Sequence, residues 1–189
     1  MKRWKAKLRE TLNRLGQSNG RPRVAILGVG QELRGDDALG LVAVRRMVQA
    51  LPNPAELLLI EAGPVPENFC DPLVRFQPDL VLVIDAASMG QAPGTIAWIE
   101  AHQAGGCGFS THSLPLELWL AYLAAEAGCE MAILGIQPLD LALGAPLSRV
   151  ASRAVTALVR GLTAALRQAW LPADLVETVS IKLEAEGQA

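Results

Sequence analysis

Cysteine is scarce: Cys70, Cys107 and Cys129 are the only three in 189 residues, an odd number at long spacings. Neither a disulfide framework nor a C-x-x-C metal knuckle can be built from them, which predicts reduced thiols and a cytoplasmic chain. Charged residues make up only 19% and aromatic residues 4%, a balance far from the polar, highly charged composition of disorder. No apolar run approaches the roughly 18 residues of a membrane span, and no apolar h-region follows the basic start. Neither an integral membrane segment nor a secretory signal is expected. A phosphate-cradling Gly-Lys-Ser/Thr loop is missing, and the third glycine of a G-x-G-x-x-G would fall at Leu33, which argues against nucleotide binding. Ser110 and Ser113 flank His112 without a G-x-S-x-G elbow, so a serine triad is disfavoured. His102 and His112 are the only histidines, and His102-x4-Cys107-x4-His112 matches no common zinc finger.

Hydrophobic residues, at 51%, are enough for one sizeable core in a chain of this length. The net charge of −2 hides an asymmetry: residues 1–23 carry eight Lys/Arg against Glu10 alone, so the rest of the chain is strongly acidic. Within that basic start, Trp4, Leu8, Leu12 and Leu15 recur at helical spacing, with Gly16 to Gly20 expected to end the helix. Such a stripe serves a helix folded back on its own domain, or one docked on an acidic partner or an anionic membrane surface, with an organellar transit peptide or a nucleic-acid arm as the remaining readings. Residues 1–20 are therefore read as a basic amphipathic extension capable of peripheral contact. Residues 21–171 are read as the main domain and 172–189, beginning at the helix-breaking Pro172, as a tail. A monomer without a nucleic-acid partner is expected.

The main domain alternates in period. Apolar runs at Val24–Leu27, Leu57–Ile60, Leu80–Ile84, Thr95–Ile99 and Met131–Leu134 predict strands. Helices are predicted from Asp37 to Ala50, Leu116 to Ala127 and Leu147 to Ala169. Continuous apolar strands separated by helices imply a three-layer α/β/α fold around a mostly parallel sheet. Ligands of such sheets bind at the carboxyl ends of the strands, where strand order switches. Function is therefore sought in Gly28–Asp37, Glu61–Asn68, Asp85–Met89 and the Ser110–Ser113 loop.

Gly28 and Gly30 suit a sharp turn at a strand end. The Asp36-Asp37 doublet could be a helix N-cap with a first-turn acid, but a cap needs one carboxylate. Asp85 closes a run apolar enough that its charge must be paired or must ligate. His112 reads alone as either a satisfied loop histidine or a ligand. Asp37, Asp85 and His112 together, one from each of three loops, form a mixed oxygen and nitrogen set suited to a borderline divalent ion such as nickel or zinc.

These residues resemble the [NiFe]-hydrogenase maturation endopeptidases. The opening pattern G-x-G-N-x-L-x-x-D-D/E-G-x-G is similar to Gly28 to Gly40, departing at Gln31 and Ala38. Val83-Ile-Asp85-Ala resembles the family's strand-end aspartate, and Thr111-His112 its histidine motif. Pro66-Glu-Asn68, Asp85 to Gly90, Pro93 to Ile96, Thr111 to Leu116 and Gly135 to Pro138 resemble the branch serving formate-hydrogenlyase-type hydrogenases. The resemblance implies a five-stranded twisted sheet flanked by helices. It also implies that Asp37, Asp85 and His112 are both the metal ligands and the catalytic set. The implied activity is an aspartyl endopeptidase that trims the C-terminus of a hydrogenase large-subunit precursor after nickel insertion. Nickel arrives on that precursor, and zinc or cadmium would substitute for it. The competing reading is a non-enzymatic nickel-binding or precursor-holding module on the same fold, since no nucleophile is recognisable.

Overall fold

In the computed structural model, which describes residues 3–51, 54–106, 108–109 and 116–170, the apolar runs become β1 (Val24–Val29), β2 (Leu57–Gly63), β3 (Leu80–Ser88), β4 (Ile96–Glu100), β5 (Gly108–Phe109) and β6 (Glu130–Ile136). Five of them lie side by side in the order β2-β1-β3-β6-β4, and the two-residue β5 pairs antiparallel with the end of β3. All neighbours along the main path are parallel except β4, which runs antiparallel to β6. The helices are α1 (Arg3–Asn19), α2 (Leu39–Ala50), α3 (Cys70–Phe76), α4 (Leu116–Ala127) and α5 (Arg149–Trp170).

Side chains alternate across a strand, and here both faces are covered. Val24, Ile26, Leu80, Leu82 and Leu134 share a core with α1, α2 and α5. Ala25, Leu27, Val81, Val83 and Ile133 share the other with α3 and α4. That double coverage is why the central strands read as unbroken apolar runs. The predicted three-layer α/β fold, with its mostly parallel five-stranded sheet, is what the chain forms.

Three local expectations need correction. The helix predicted from Asp37 begins instead as a 3-10 turn over Gly35–Ala38, with α2 starting at Leu39. Helix α1 runs through Gly16 to Asn19, and Gly20, at φ 76°, takes the left-handed position that ends it. Helix α3 was not expected, because seven residues containing Pro72 show too little periodicity.

The stripe on α1 faces inward: Trp4, Leu8 and Leu12 are fully buried and Leu15 nearly so, in the same core as Ile26 and Leu158. Trp4 enters a gap left by Gly161, where a Cβ would sit 2.5 Å from the indole. Arg14 adds a two-pronged contact to Glu130, with Nη2 to Oε2 at 2.6 Å. Exposed pairs of this kind are worth at most about 1 kcal/mol, so the apolar stripe holds the helix. Residues 171–189, which include the expected tail, lie outside the described residues.

Candidate active site

The sheet order reverses at β1, with β2 on one side and β3 on the other. The carboxyl ends of β1 and β3 are thus the switch point at which sheets of this kind place a ligand crevice. Gly28 sits inside β1, and a Cβ there would lie 2.2 Å from the carbonyl oxygen of Gly40. A Cβ on Gly40 would in turn lie 2.3 Å from the carbonyl oxygens of Val29 and Ile84. These two glycines let the start of α2 rest directly on β1 and β3. Gly28 thus serves close approach, whereas the expected turn is made by Gly30, at φ 136°.

That approach brings the aspartate doublet to this edge of the sheet, and the two carboxylates divide their work. Asp37, 1% exposed, accepts a hydrogen bond from the Gln31 main-chain N–H at 2.8 Å. Because the donor is backbone, glutamine at position 31 supplies it as well as asparagine would. Asp36, wholly buried, turns the other way. It accepts from the N–H groups of Leu139 (2.8 Å), Ser148 (2.7 Å) and Asp140 (3.4 Å), and from the Ser148 hydroxyl (2.9 Å). The same Ser148 hydroxyl accepts from Ala151 N–H at 3.1 Å and so caps α5. Asp36 therefore lies at the positive end of that helix dipole. The N-cap expectation fails for both aspartates: no side chain caps the turn at 35–38 or α2.

Asp85 is fully buried near the end of β3, opposite Gly135 of β6, and accepts from the Ala86 N–H at 2.7 Å. By strand alternation it sits on the α3 and α4 side. Two residues further, Ala87 and Ser88 pair with β5, bringing the chain that leads to α4 back to this edge. His112 lies in that stretch, outside the described residues. Among the described residues, no three metal-ligating side chains cluster. The third member of the expected set would have to come from beyond them.

Glu61, in the second loop singled out, is absorbed in a surface ion pair: Arg45 reaches it at 2.7 Å and Glu32 at 2.6 Å. That guanidinium holds the Glu32 carboxyl below its ordinary range. Gln137 was missed as a functional position. Its Oε1 accepts from Met89 N–H at 2.7 Å and Gln91 N–H at 3.2 Å, so it ties the loop after β3 to the loop after β6. Its signals were its place just past a strand end and its position within the Gly135 to Pro138 stretch that carries part of the resemblance.

The family model for hydrogenase maturation proteases of the HycI type matches residues 41–165. A putative hydrogenase maturation protease of Methanocaldococcus jannaschii is 38% identical over 122 residues, covering 61% of this chain and 72% of that one. The hydrogenase 3 maturation protease of Escherichia coli K12 is 32% identical over 114 residues, covering 60% and 71%. The crystal structure of a [NiFe] hydrogenase maturation protease HycI from Thermococcus kodakarensis superposes with a TM-score of 0.73 at 28% identity, covering 82% of this chain and 98% of that one. With the fold, the switch-point crevice and the buried aspartates in place, these matches put the chain in the hydrogenase maturation protease family.

Proposed function

We propose that this protein is the endopeptidase that removes the C-terminal extension of a [NiFe]-hydrogenase large-subunit precursor once nickel has been inserted. In this reading Asp37, Asp85 and His112 recognise that nickel. The observation carrying it is a pair of carboxylates, Asp37 and Asp85, both withdrawn from solvent where the strand order switches. Each carboxylate is held by a main-chain donor, Gln31 N–H for Asp37 and Ala86 N–H for Asp85, and a divalent ion brought in on the precursor would add positive charge to this acidic pair at the moment of docking. His112 is three residues beyond Phe109, which is tethered to β3, and three residues of chain reach at most about 11 Å.

Nickel is cargo here, part of the substrate. Zinc or cadmium, with similar ligand preferences, would take its place in precursor loaded with them. An ion held by Asp37, Asp85 and His112 would supply polarisation of the scissile carbonyl, or would only dock the precursor while a carboxylate acts as general base. A carboxylate takes a proton from the attacking water and returns it to the departing amine. The hydroxyl ends on the new carboxyl terminus and the C–N bond breaks. The chain acts in this scheme as a cytoplasmic monomer, before the hydrogenase is assembled.

The test is to mix the protein with nickel-loaded and with nickel-free precursor and follow the C-terminus by mass spectrometry. Cleavage of the loaded form alone is expected. Equal cleavage of both would remove nickel recognition, and stable binding without cleavage would point to a non-enzymatic holding module.

A further inference from the structure

Beside Asp37, two loops are sewn into one surface. The loop after β1 and the loop after β6 exchange main-chain hydrogen bonds: Gly35 N–H to Ala145 O (3.1 Å), Asp36 N–H to Asp140 O (2.8 Å) and Gly144 N–H to Leu33 O (2.7 Å). The Asp36 carboxylate adds its own bonds beneath them. These two bonded loops carry Leu33, 66% exposed, Leu139, 61%, and Leu143, 79%. Single exposed leucines need no explanation, but a fixed group of them is the signature of a binding surface. Leu33 and Leu143 are joined through the Gly144 bond to Leu33. Leu139 donates its N–H to the carboxylate next in sequence to Asp37. Arg34 and Glu32, exposed or at the rim, supply the polar border that interfaces place around an apolar centre.

We infer that Leu33, Leu139 and Leu143 form a docking platform for an apolar surface of the folded hydrogenase precursor. The platform seats the precursor so that its C-terminal segment enters the crevice at Asp37. This rests on the proposed function for the identity of the partner, and continuity with the crevice is what selects that partner. A peptide tail alone would need the crevice only, whereas a folded body needs a second, rigid foothold beside it.

The experiment measures the Kd of nickel-loaded precursor for the parent and for the triple variant L33Q/L139Q/L143Q, alongside KM and kcat. Val48→Gln, at another exposed apolar site (59% exposed) in the last turn of α2, is the control. The triple variant is expected to melt with the parent and to raise Kd by roughly tenfold or more, with the loss falling mainly on KM. Unchanged Kd and KM, or the same rise in the Val48→Gln control, would overturn the platform. A parent that sediments as a dimer, a monomeric triple variant and unchanged precursor affinity would overturn it in favour of a second copy of the chain. Binding without cleavage by the parent strikes the peptidase reading alone, and cleavage with unchanged Kd in the triple variant strikes the platform alone.

Discussion

Replacing Asp36 by alanine tests whether the first aspartate of the doublet is the anchor of the site's far wall. The carboxylate is wholly buried and accepts three bonds of 2.7 to 2.9 Å and a longer one of 3.4 Å. Hydrogen bonds to a charged group contribute about 1.5–3 kcal/mol each, and a donor left unmet loses about 1–3 kcal/mol. Against this stands relief of the desolvation of one buried charge, which offsets several kcal/mol. The net expectation is about 3–5 kcal/mol, a large part of the roughly 5–15 kcal/mol that holds a domain together. For a chain of this size that is a fall in Tm of roughly 6–20 °C. Asp36→Asn keeps the shape and one acceptor but turns an NH2 toward donor N–H groups, so it should recover little. Thermal melts give the total, and hydrogen exchange locates it: amides of residues 138–148 should lose protection first. A variant melting within 2 °C of the parent, with those amides still protected, would refute the anchor.

Leu8→Ala should cost about 2–5 kcal/mol because Leu8 is fully buried, whereas Arg14→Ala should cost under about 1 kcal/mol; urea titrations giving the reverse order would show that charge holds α1. Gly40→Ala should destabilise by about 3 kcal/mol, the upper end for overpacking, since its Cβ would strike two backbone carbonyls, and a melt equal to the parent's would refute the close approach. Asp85→Asn should leave the fold intact and abolish cleavage of nickel-loaded precursor, and parent-like processing would remove Asp85 from the site. Burial, with lesser contributions from Asp79 and Glu130, pushes the Cys129 thiol up to about 11 from its ordinary 9.0. Its folded value lies above the unfolded one, so the stability it contributes is full below pH 9 and is lost as pH rises toward 11. Its alkylation rate, taken by difference from Cys129→Ser, should climb about tenfold per pH unit to near 11, and a plateau by pH 9 would contradict this.

The layered fold was legible because Val24–Leu27, Leu80–Ile84 and Met131–Leu134 are apolar on both faces and are separated by helical stretches, the pattern of a parallel sheet covered on both sides. The antiparallel sense of β4 was not, because pairing direction depends on where its chain enters, and its run of five looks like any strand. The edge of the crevice followed from strand ends alone. Which aspartate does what did not: Asp36 is assigned by Ser148, a residue 112 positions away, and no local rule reaches that far. The leucine platform was invisible for the same reason. Leu33 and Leu143 look like ordinary loop residues until the hydrogen bond from Gly144 brings their loops together.

The seat that Gly161 provides for Trp4 sets an order of events during synthesis. Helix α1 leaves the ribosome ahead of all its partners, yet the surface that covers Trp4 belongs to α5. At roughly 5–20 residues per second, the stretch from Trp4 to Gly161 takes on the order of 10–30 s to make. For that interval Trp4, Leu8 and Leu12 have no α5 to bury them. Packing of α1 onto α5 therefore cannot precede synthesis of Arg149–Trp170, so the first helix of the chain completes its core only after every strand of the sheet has been made.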